Sequence, residues 1–272
     1  DARLREGALR GDPGGGDLVV RATGYLGILV GPMRYAILGD VHANLEALEA
    51  VLAEVRREGA DRMVCVGDLV GYGADPGTCI DLLREAGVTV VAGNHDHAAI
   101  GKLDIEYFNP FAKASTLWTA RALSGDQRRY LEELPLVHEE EWLMVAHGSV
   151  HEPEAFHYIQ TLDDAAESLR ALTRPVCFLG HSHIPVSFFG GDGVAYATDP
   201  VTPVDPAGRT VVNVGAIGQP RDLDPRAAVA FYDTDRREVR LHRVAYDIET
   251  ATEKILSAGL PEILAERLRF GR

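Results

Sequence analysis

The chain has 272 residues, of which 46% are hydrophobic and 25% charged, as is typical of a globular protein with one large core. Its formal net charge of −14 disfavours broad binding to nucleic acids and docking on anionic membranes, because both carry negative charge themselves. No apolar run approaches the roughly 18–20 residues of a membrane span. The three cysteines, Cys65, Cys79 and Cys177, provide no disulfide framework, which predicts a cytoplasmic protein.

The segment 1–32 differs in character from the rest of the chain. Residues 12–16 are rich in Gly and Pro, and the segment lacks the ordered basic, apolar and small-residue regions of a signal peptide. Met33 stands directly before the first strand-like run, which makes it a candidate natural start. We therefore expect residues 1–32 to be a leader, a tag or a disordered arm, and residues 33–272 to form a single domain.

From Arg34 onward, short apolar runs each end at polar residues. Five such runs span residues 35–38, 63–66, 88–92, 142–146 and 176–179. Continuous apolar runs of this length predict strands that are buried on both faces. Further short runs, at residues 186–189, 194–196, 211–214, 228–232 and 239–244, predict a mostly β second half.

Helical spacing of apolar residues separates several of these strands. It predicts helices over residues 45–57, 75–86, 111–123, 127–134 and 163–172, and one or two helices within 248–270. Asn44 and Asp75 are the expected N-caps of the first two, with Pro76 at the first helical position of the second. Alternation of strands and helices followed by a run of strands predicts a layered α/β sandwich.

Seven side chains with oxygen or nitrogen donors follow the first five strands. They are Asp40, His42, Asp68, Asn94, His147, His181 and His183. If these strands share one mostly parallel sheet, their carboxyl ends bring the seven residues to one rim. Donors of this kind suit Mn, Fe, Zn or Co, with Mn or Fe favoured, and seven exceed the needs of one tetrahedral ion. We therefore expect two divalent ions that share one carboxylate, an arrangement suited to phosphoryl displacement.

These residues carry a resemblance to a known family. The blocks Asp40-x-His42, Gly67-Asp68, Gly93-Asn94-His95-Asp96, His147 and Gly180-His181-x-His183 resemble the calcineurin-like metallophosphoesterase superfamily in order and spacing. The resemblance covers residues 35 to about 246, and residues 213–221 resemble the C-terminal signature of its bacterial small phosphodiesterase-like branch. It implies a four-layer αββα sandwich. It also implies hydrolysis of a phosphomonoester, phosphodiester or nucleotide anhydride by a metal-bridging hydroxide.

The same resemblance implies a role for each residue of the blocks. One ion would be held by Asp40, His42 and His183, the other by Asn94, His147 and His181, with Asp68 bridging both. The implied catalytic residues are His95 and Asp96. His95 would contact the scissile phosphate and protonate the leaving oxygen. Asp96 would hydrogen-bond His95, fix its tautomer and raise its pKa.

The sequence departs from one branch of the family. Members of the Ser/Thr protein phosphatase type carry an Arg shortly after the Gly-Asp block, whereas residues 69–73 contain none, which argues against that activity. Arg221, after a Gly-rich turn, is the candidate for the missing phosphate contact. Tyr72 either contacts substrate or packs beside Asp68. His151 and His157 lie in a loop that a substrate could pass.

An insertion of about 104–134 separates the third and fourth ligand blocks. Its aromatic residues, Tyr107, Phe108, Phe111 and Trp118, either cap the pocket or pack within a helical hairpin. The charge of −14 favours a small phosphorylated or nucleotide substrate over a long nucleic acid. Two alternatives remain: a catalytically silent scaffold, which usually has lost a ligand, and a metal-dependent nuclease, which needs a basic stripe that the sequence lacks.

Overall fold

Two six-stranded mixed sheets form the centre of the computed structural model, which describes residues 31–272. The first sheet has the order β3-β2-β1-β11-β12-β9, built from β1 (Arg34–Leu38), β2 (Arg62–Cys65), β3 (Thr89–Val90), β9 (Val201–Pro203), β11 (Ala227–Asp233) and β12 (Glu238–Val244). The second has the order β4-β5-β6-β10-β7-β8, built from β4 (Val137–Glu139), β5 (Met144–Ala146), β6 (Val176–Leu179), β7 (Val186–Gly190), β8 (Val194–Ala197) and β10 (Arg209–Asn213). The predicted leader, 1–32, lies outside the described residues except for its last two.

Eight α-helices accompany the sheets within residues 31–272. They are α1 (Leu45–Glu58), α2 (Pro76–Glu85), α3 (Asn94–Ala99), α4 (Pro110–Ala122), α5 (Gly125–Glu133), α6 (Leu162–Ala171), α7 (Ile248–Ser257) and α8 (Glu262–Phe270). A short 3-10 turn spans Pro153–Ala155. Over this part of the chain no helix combines the length and apolar character needed to cross a bilayer.

Strand β1 illustrates how alternation of side chains builds the layers. Tyr35 and Ile37 lie in the core between the two sheets, whereas Ala36 and Leu38 pack with residues of α1 and α2 on the outer face of the first sheet. On the far side, α6 packs against the outer face of the second sheet. The order helix, sheet, sheet, helix is the four-layer αββα sandwich that the resemblance implies.

The five ligand-bearing strands do not share one sheet, so they converge by a different route from the single parallel sheet considered in the sequence analysis. β1, β2 and β3 pair in parallel within the first sheet, while β5 and β6 pair in parallel within the second. Strands from the second half of the chain complete both sheets: β11 pairs antiparallel with β1, and β10 pairs parallel with β6. The ligand-bearing strand ends therefore meet across the space between two sheets.

Of the two N-caps predicted from the sequence, one forms in the structure and the other does not. The Asn44 side chain accepts a hydrogen bond from Ala47 N at 3.2 Å, as an N-cap does. Asp75 makes no such bond, and Pro76 opens α2 without it. The Asp75 carboxylate instead accepts from Lys254 Nζ at 2.9 Å, which ties α2 to the C-terminal helix α7.

The predicted insertion is a helical hairpin formed by α4 and α5. Helix α5 buries Leu131 in the core beneath the first sheet. The insertion does not bury all of its aromatic rings, because Tyr107 is 93% exposed and Phe111 is 41% exposed. Phe108 and Trp118 are half-buried and pack beside α7 and α8. The hairpin therefore leaves part of its aromatic surface open.

Candidate metal centre

All seven predicted ligands are buried and lie together at the carboxyl ends of strands from both sheets. Six of them form two groups whose ligand atoms lie within 4.8 Å of one another: Asp40, His42, Asp68 and His183 in the first, and Asp68, His147 and His181 in the second. The seventh, Asn94, joins the second group, because its Oδ1 is 3.0 Å from His147 Nε2. Asp68 is common to both groups.

The Asp68 carboxylate faces both groups through one oxygen. Its Oδ2 is 3.5 Å from His42 Nε2 and 3.3 Å from His147 Nε2. Its other oxygen, Oδ1, accepts a hydrogen bond from the backbone N–H of His95 at 2.8 Å. This bond fixes the plane of the carboxylate and leaves Oδ2 between the two groups, which is the position that a bridging ligand requires.

Three of the histidines are held by backbone carbonyls. The Nδ1–H groups donate from His42 to Val70 O at 3.0 Å, from His147 to Val66 O at 2.9 Å and from His183 to Gln219 O at 2.6 Å. A donating Nδ1 leaves the lone pair on Nε2, and this lone pair points into the cluster. The sheets thus set both the orientation and the tautomer of each ring.

The distances between these lone pairs test whether the residues fit bound metal ions. His42 Nε2 and His183 Nε2 lie 3.0 Å apart, and in the second group His147 Nε2 lies 3.0 Å from His181 Nδ1. Two lone pairs at this distance repel each other unless a cation or a proton lies between them. The donor set is also rich in imidazole and carboxylate, which suits divalent transition metals. The residues therefore fit the metals that the resemblance implies.

Burial and charge set the protonation states of the cluster. Desolvation lowers the pKa of His42, His181 and His183 well below 6.5, which favours the neutral form that binds metals. Burial also opposes a charged His147, but the Asp68 carboxylate outweighs it and raises the pKa of His147 to about 9. A cation at this position would displace that proton.

The three carboxylates of the site differ in their surroundings. Burial raises the pKa of Asp40 to about 6. Burial also acts to raise the pKa of Asp68, but nearby His147 and His95 outweigh it and hold the pKa well below the usual value. Asp68 is therefore the carboxylate most strongly held in its ionised form, as a ligand shared by two cations must be.

The backbone of the site is strained. Five of the seven ligands, Asp40, His42, Asp68, His181 and His183, have positive φ angles between 48° and 68°. This left-handed region costs about 1–2 kcal/mol for a residue with a Cβ atom, although Asp and His tolerate it better than most. Backbone bonds hold the strained turns, including His42 N–H to Asp68 O at 2.9 Å. Strain of this kind is typical of functional sites.

Gly93 allows the Asp68 carboxylate to lie against the backbone of the neighbouring strand end. A Cβ atom added at Gly93 would overlap Asp68 Oδ1 and the Asp68 backbone nitrogen. Any side chain there would displace the carboxylate that both groups share. The Gly-Asn pair in the third block is therefore a requirement of the site's geometry.

His95 lies beside the cluster without joining it. Its ring is 5.0 Å from that of His42 and 4.5 Å from that of Tyr72, measured between centroids. Its Nδ1 is buried against Gly71, where an added Cβ would approach to 2.6 Å, and finds no hydrogen-bond partner among residues 31–272. Because the His95 ring also lines an open cleft, Nε2 is the nitrogen that can reach a substrate.

The expected hydrogen bond between Asp96 and His95 is not formed. Asp96 instead accepts from three backbone N–H groups: Leu69 at 2.9 Å, Val70 at 3.2 Å and Gly93 at 2.9 Å. Position 96 is the third residue of α3, so its side chain turns back toward the start of the helix and away from His95. Burial, reinforced by Asp68, raises the pKa of Asp96 to about 7. Asp96 thus fixes the loop that carries Val70, whose carbonyl orients His42.

Tyr72 and Arg221 form a pair at the edge of the centre. The Tyr72 ring contacts His42 at a centroid distance of 4.6 Å, and its hydroxyl accepts from Arg221 Nη2 at 3.4 Å. The Arg221 Nη2 also donates to Gln219 Oε1 at 3.1 Å. The structure thus places Tyr72 and Arg221, the two candidate substrate contacts, at the edge of the site. Tyr72 combines packing with a polar contact to Arg221.

The loop after His147 contributes residues that the sequence interpretation missed. Tyr158 stacks on the ligand His181 at a centroid distance of 3.7 Å and an interplanar angle of 22°, and Phe156 contacts His147 at 5.9 Å. Of the two histidines noted there, His157 lines the cleft, whereas His151 faces Glu152 and Glu167. No periodicity marks such loop aromatics, and their place after a ligand block is the one available signal.

Asn213 was noted only as part of a C-terminal signature, and the structure gives it a definite role. Its side-chain N–H groups donate to Gly180 O and to Ser182 Oγ, the latter at 3.0 Å. Its Oδ1 accepts from Gly215 N–H at 3.0 Å. Asn213 thereby ties β10 to the turn that presents the ligands His181 and His183.

Known proteins share this sequence pattern and fold. Residues 33–237 match the family described as the calcineurin-like phosphoesterase superfamily domain. The uncharacterized protein MJ0912 of Methanocaldococcus jannaschii is 35% identical over 243 residues, which cover 87% of this chain and 98% of that protein. The crystal structure of a metallophosphoesterase from Sphaerobacter thermophilus has 40% identity and a TM-score of 0.79, covering 89% of this chain and 100% of that one.

A more distant structure shares the fold alone. The hypothetical protein PH1004 from Pyrococcus horikoshii OT3 is 21% identical with a TM-score of 0.72, covering 88% of this chain and 98% of that one. The family match spans every predicted ligand, from Asp40 to His183, and so includes the whole candidate centre. From the sequence blocks, the two-sheet sandwich and this match, it follows that the chain belongs to the calcineurin-like phosphoesterase superfamily.

Proposed function

We propose that this protein is a phosphoesterase that depends on two divalent metal ions and hydrolyses an ester or anhydride of a small phosphorylated compound. The observation that carries the proposal is the position of Asp68 Oδ2, which lies 3.5 Å from His42 Nε2 and 3.3 Å from His147 Nε2. One carboxylate oxygen between two sets of inward-facing nitrogen donors is what a pair of ions needs. A structural role alone would not require the neutral imidazoles of His42 and His183 to face each other at 3.0 Å.

The chain's own groups divide the work around the two ion positions. When bound, ions of the Mn, Fe, Zn or Co class, with Mn or Fe favoured, supply Lewis acidity and an activated water. Backbone carbonyls hold the histidine ligands in one orientation, so the site is organised before substrate arrives. His95 is placed to donate a proton to the leaving oxygen through Nε2.

Arg221 is the proposed contact for the phosphate oxygens. Its Nε is buried and finds no acceptor among residues 31–272, while Tyr72 and Gln219 hold the guanidinium through Nη2. In a chain with a net charge of −14, such a positioned cation and the bound ions provide the local positive charge that an anionic substrate requires.

The free and buried state of all three cysteines supports the prediction of a cytoplasmic protein.

The two alternatives find less support. A silent scaffold is favoured by loss of a ligand or of the phosphate-contacting histidine, and here all seven ligands and His95 lie together. A nuclease requires cations along the path of the nucleic-acid backbone. Among the described residues that line the cleft beside the centre, none is a lysine or an arginine.

The test compares the wild-type protein with Asp68→Asn on p-nitrophenyl phosphate and bis(p-nitrophenyl) phosphate after loading with Mn, Fe, Co or Zn. We expect metal-dependent turnover and two ions per wild-type chain by elemental analysis. The variant should lose at least about a thousandfold in turnover, since it removes the shared ligand. Asp126→Asn, at an exposed carboxylate paired with Arg84, is the matched control. A metal-loaded protein that turns over no ester with any ion would favour the scaffold.

A further inference from the structure

A cleft of about 460 Å³ opens beside the candidate metal centre. One wall comes from the residues before and at the start of α4, namely Leu103, Tyr107, Phe108, Asn109 and Ala112, and the other from Ala155, Phe156, His157 and Tyr158. Its inner end is formed by Tyr72, Asn94, His95 and His181. We call the space lined by these two walls and this inner end the aromatic cleft. A substrate whose phosphate lies at the centre must extend its remaining part into or along this space.

Aromatic side chains are concentrated in the aromatic cleft. Its lining includes the Phe and Tyr rings of Tyr72, Tyr107, Phe108, Phe156 and Tyr158. These five rings are five of the 13 residues that line the cleft, whereas Phe, Tyr and Trp together make up 7% of the chain. The rings begin directly at the site, because Tyr158 stacks on His181 and Phe108 lies 5.1 Å from the His95 ring. A planar group next to the phosphate would therefore contact aromatic rings from both segments that line the cleft.

The outer rings of the aromatic cleft contribute little to the folded protein. Tyr107 is 93% exposed, and Tyr158 is 46% exposed although one of its faces is covered by His181. Large rings that stay in water at the mouth of a cleft release that water when a ligand covers them. Tyr and Phe rings are also rigid, so they lose little conformational entropy on binding.

The charge of the residues that line the aromatic cleft indicates which chemical groups it can bind. Among residues 31–272, its lining includes no Asp, Glu, Lys or Arg, although charged residues make up 25% of the chain. A second phosphate or a nucleic-acid backbone would need cations there. A neutral planar group needs none, and Asn109 and His157 can hydrogen-bond to its polar edges. The volume lies within the range of small-molecule sites.

We propose that the aromatic cleft binds a planar, uncharged aromatic part of the substrate, of the nucleobase type, between the Tyr107 and Tyr158 walls next to the scissile phosphate. The inference rests on the proposed function and specifies its substrate class: an ester of one phosphate joined to one nucleoside-like group. It disfavours substrates with further phosphates beyond the scissile one, because the aromatic cleft offers these no cation.

The test uses two phosphomonoesters that differ only in the base, adenosine 5′-monophosphate and ribose 5-phosphate, and their methyl diesters as a second pair. The comparison uses whichever of the two pairs the Mn-loaded wild-type protein hydrolyses. Its kcat/KM for the nucleotide should exceed its kcat/KM for the matching ribose ester by about tenfold or more, as stacking on aromatic rings predicts. Tyr107→Ala and Tyr158→Ala should bring this ratio close to one, mainly through KM. Tyr107→Phe and Tyr158→Phe, which keep the rings, should restore it.

Controls separate stacking from damage to the metal centre. Tyr196→Ala removes another exposed tyrosine, on β8, that does not line the aromatic cleft, and should leave the ratio at the wild-type value. Metal content is measured for Tyr158→Ala, because this ring stacks on the ligand His181. Tyr107 is almost fully exposed, so its variant tests the aromatic cleft without that complication.

A binding measurement distinguishes this inference from the proposed function. Calorimetric titration of the Mn-loaded protein with adenosine or ribose, neither of which has a bond to hydrolyse, should detect binding of the nucleoside only. Hydrolysis of both esters at equal efficiency, with no nucleoside binding, would overturn the inference and leave the proposed function intact. Nucleoside binding that Tyr107→Ala weakens, without turnover of any ester, would support the aromatic cleft and contradict the proposed function.

Discussion

The predicted metal ligands and the two walls of the aromatic cleft adjoin each other, yet the fold treats them in opposite ways. Each of the seven ligands is buried, and most are fixed by backbone bonds or by a left-handed backbone conformation. The aromatic cleft is walled by loop residues, of which Tyr107 is almost wholly in solvent. Under the two proposals, residues at the strand ends of the two sheets hold the ions, whereas Tyr107, on which the fold hardly depends, acts in the choice of substrate.

This difference predicts what substitutions will do. A change near the ligands alters metal binding or turnover of every substrate, because all reactions use the same centre. A change in the aromatic cleft alters the choice among substrates. The predictions below test that division, beginning with the change that should have the largest effect.

Gly93→Ala should abolish activity by displacing the bridging carboxylate. The added methyl group overlaps Asp68 Oδ1, so neither ion keeps its shared ligand. We expect loss of both ions by elemental analysis and a fall in turnover of at least about a thousandfold, with folding verified by circular dichroism. Gly191→Ala is the control, since a Cβ there meets no atom within 4 Å. Retention of two ions by Gly93→Ala would show that Asp68 does not bridge.

His95→Ala should lower turnover by about 10²–10⁴-fold while two ions remain bound, because the variant removes a proton donor and no ligand. The bond that His95 makes to Asp68 comes from its backbone N–H and survives the substitution. His151→Ala, in the nearby loop, is the control. If His95→Ala lost its metals with no other change, the role assigned to His95 would be wrong.

Asp96→Asn should weaken metal binding by about 10–100-fold, as substitutions of residues that hold metal ligands in place typically do. An amide nitrogen cannot accept a hydrogen bond, so the variant loses at least one of the three backbone bonds that hold the Val70 loop. Turnover should recover at saturating metal. The role implied by family resemblance, through His95, predicts instead a lower kcat that excess metal does not restore. Asp164→Asn, at a remote helix N-terminus with similar backbone bonds, is the control.

The stability of the metal-free protein should fall by a few degrees in Tm between pH 7 and 9. The pKa of His147 is raised in the folded state from 6.5 to about 9, so its stabilising charge is fully present below pH 6.5 and is lost as the pH rises through 9. Loading with Mn should remove this fall, because the ion takes the place of the proton. Scanning calorimetry measures both states, and identical profiles with and without metal would contradict the assignment.

The residues that cluster at the candidate centre could be predicted from the sequence because a local rule marks each of them. Every ligand block follows an apolar strand, so residues such as Asp40 and Asp68 stand out before any contact is known. Their division between two sheets could not be predicted, since the pairing of β1 with β11 depends on residues nearly two hundred positions apart. The predicted ligands converge even though their strands belong to two sheets and not to one. They do so because both sheets direct their parallel strand ends to the same place.

The aromatic cleft and the role of Asp96 were beyond the sequence for different reasons. Tyr107 and Tyr158 lie in loops without periodicity, and only the folded chain brings both into the lining of one cleft. The bond between Asp96 and His95 was expected from the family resemblance. Once α3 begins at Asn94, the third helical position directs the Asp96 carboxylate to backbone N–H groups at the start of the helix. The motif thus located the residues that cluster at the candidate centre, but it did not predict the hydrogen-bond partners of Asp96.

The most direct measurement of the central claim is anomalous diffraction from crystals loaded with Mn. The account predicts two peaks roughly 3.5–4 Å apart, with Asp68 Oδ2 within bonding distance of both and the His42 and His147 Nε2 atoms each bound to one. A single peak, or two peaks of which only one contacts Asp68, would contradict it.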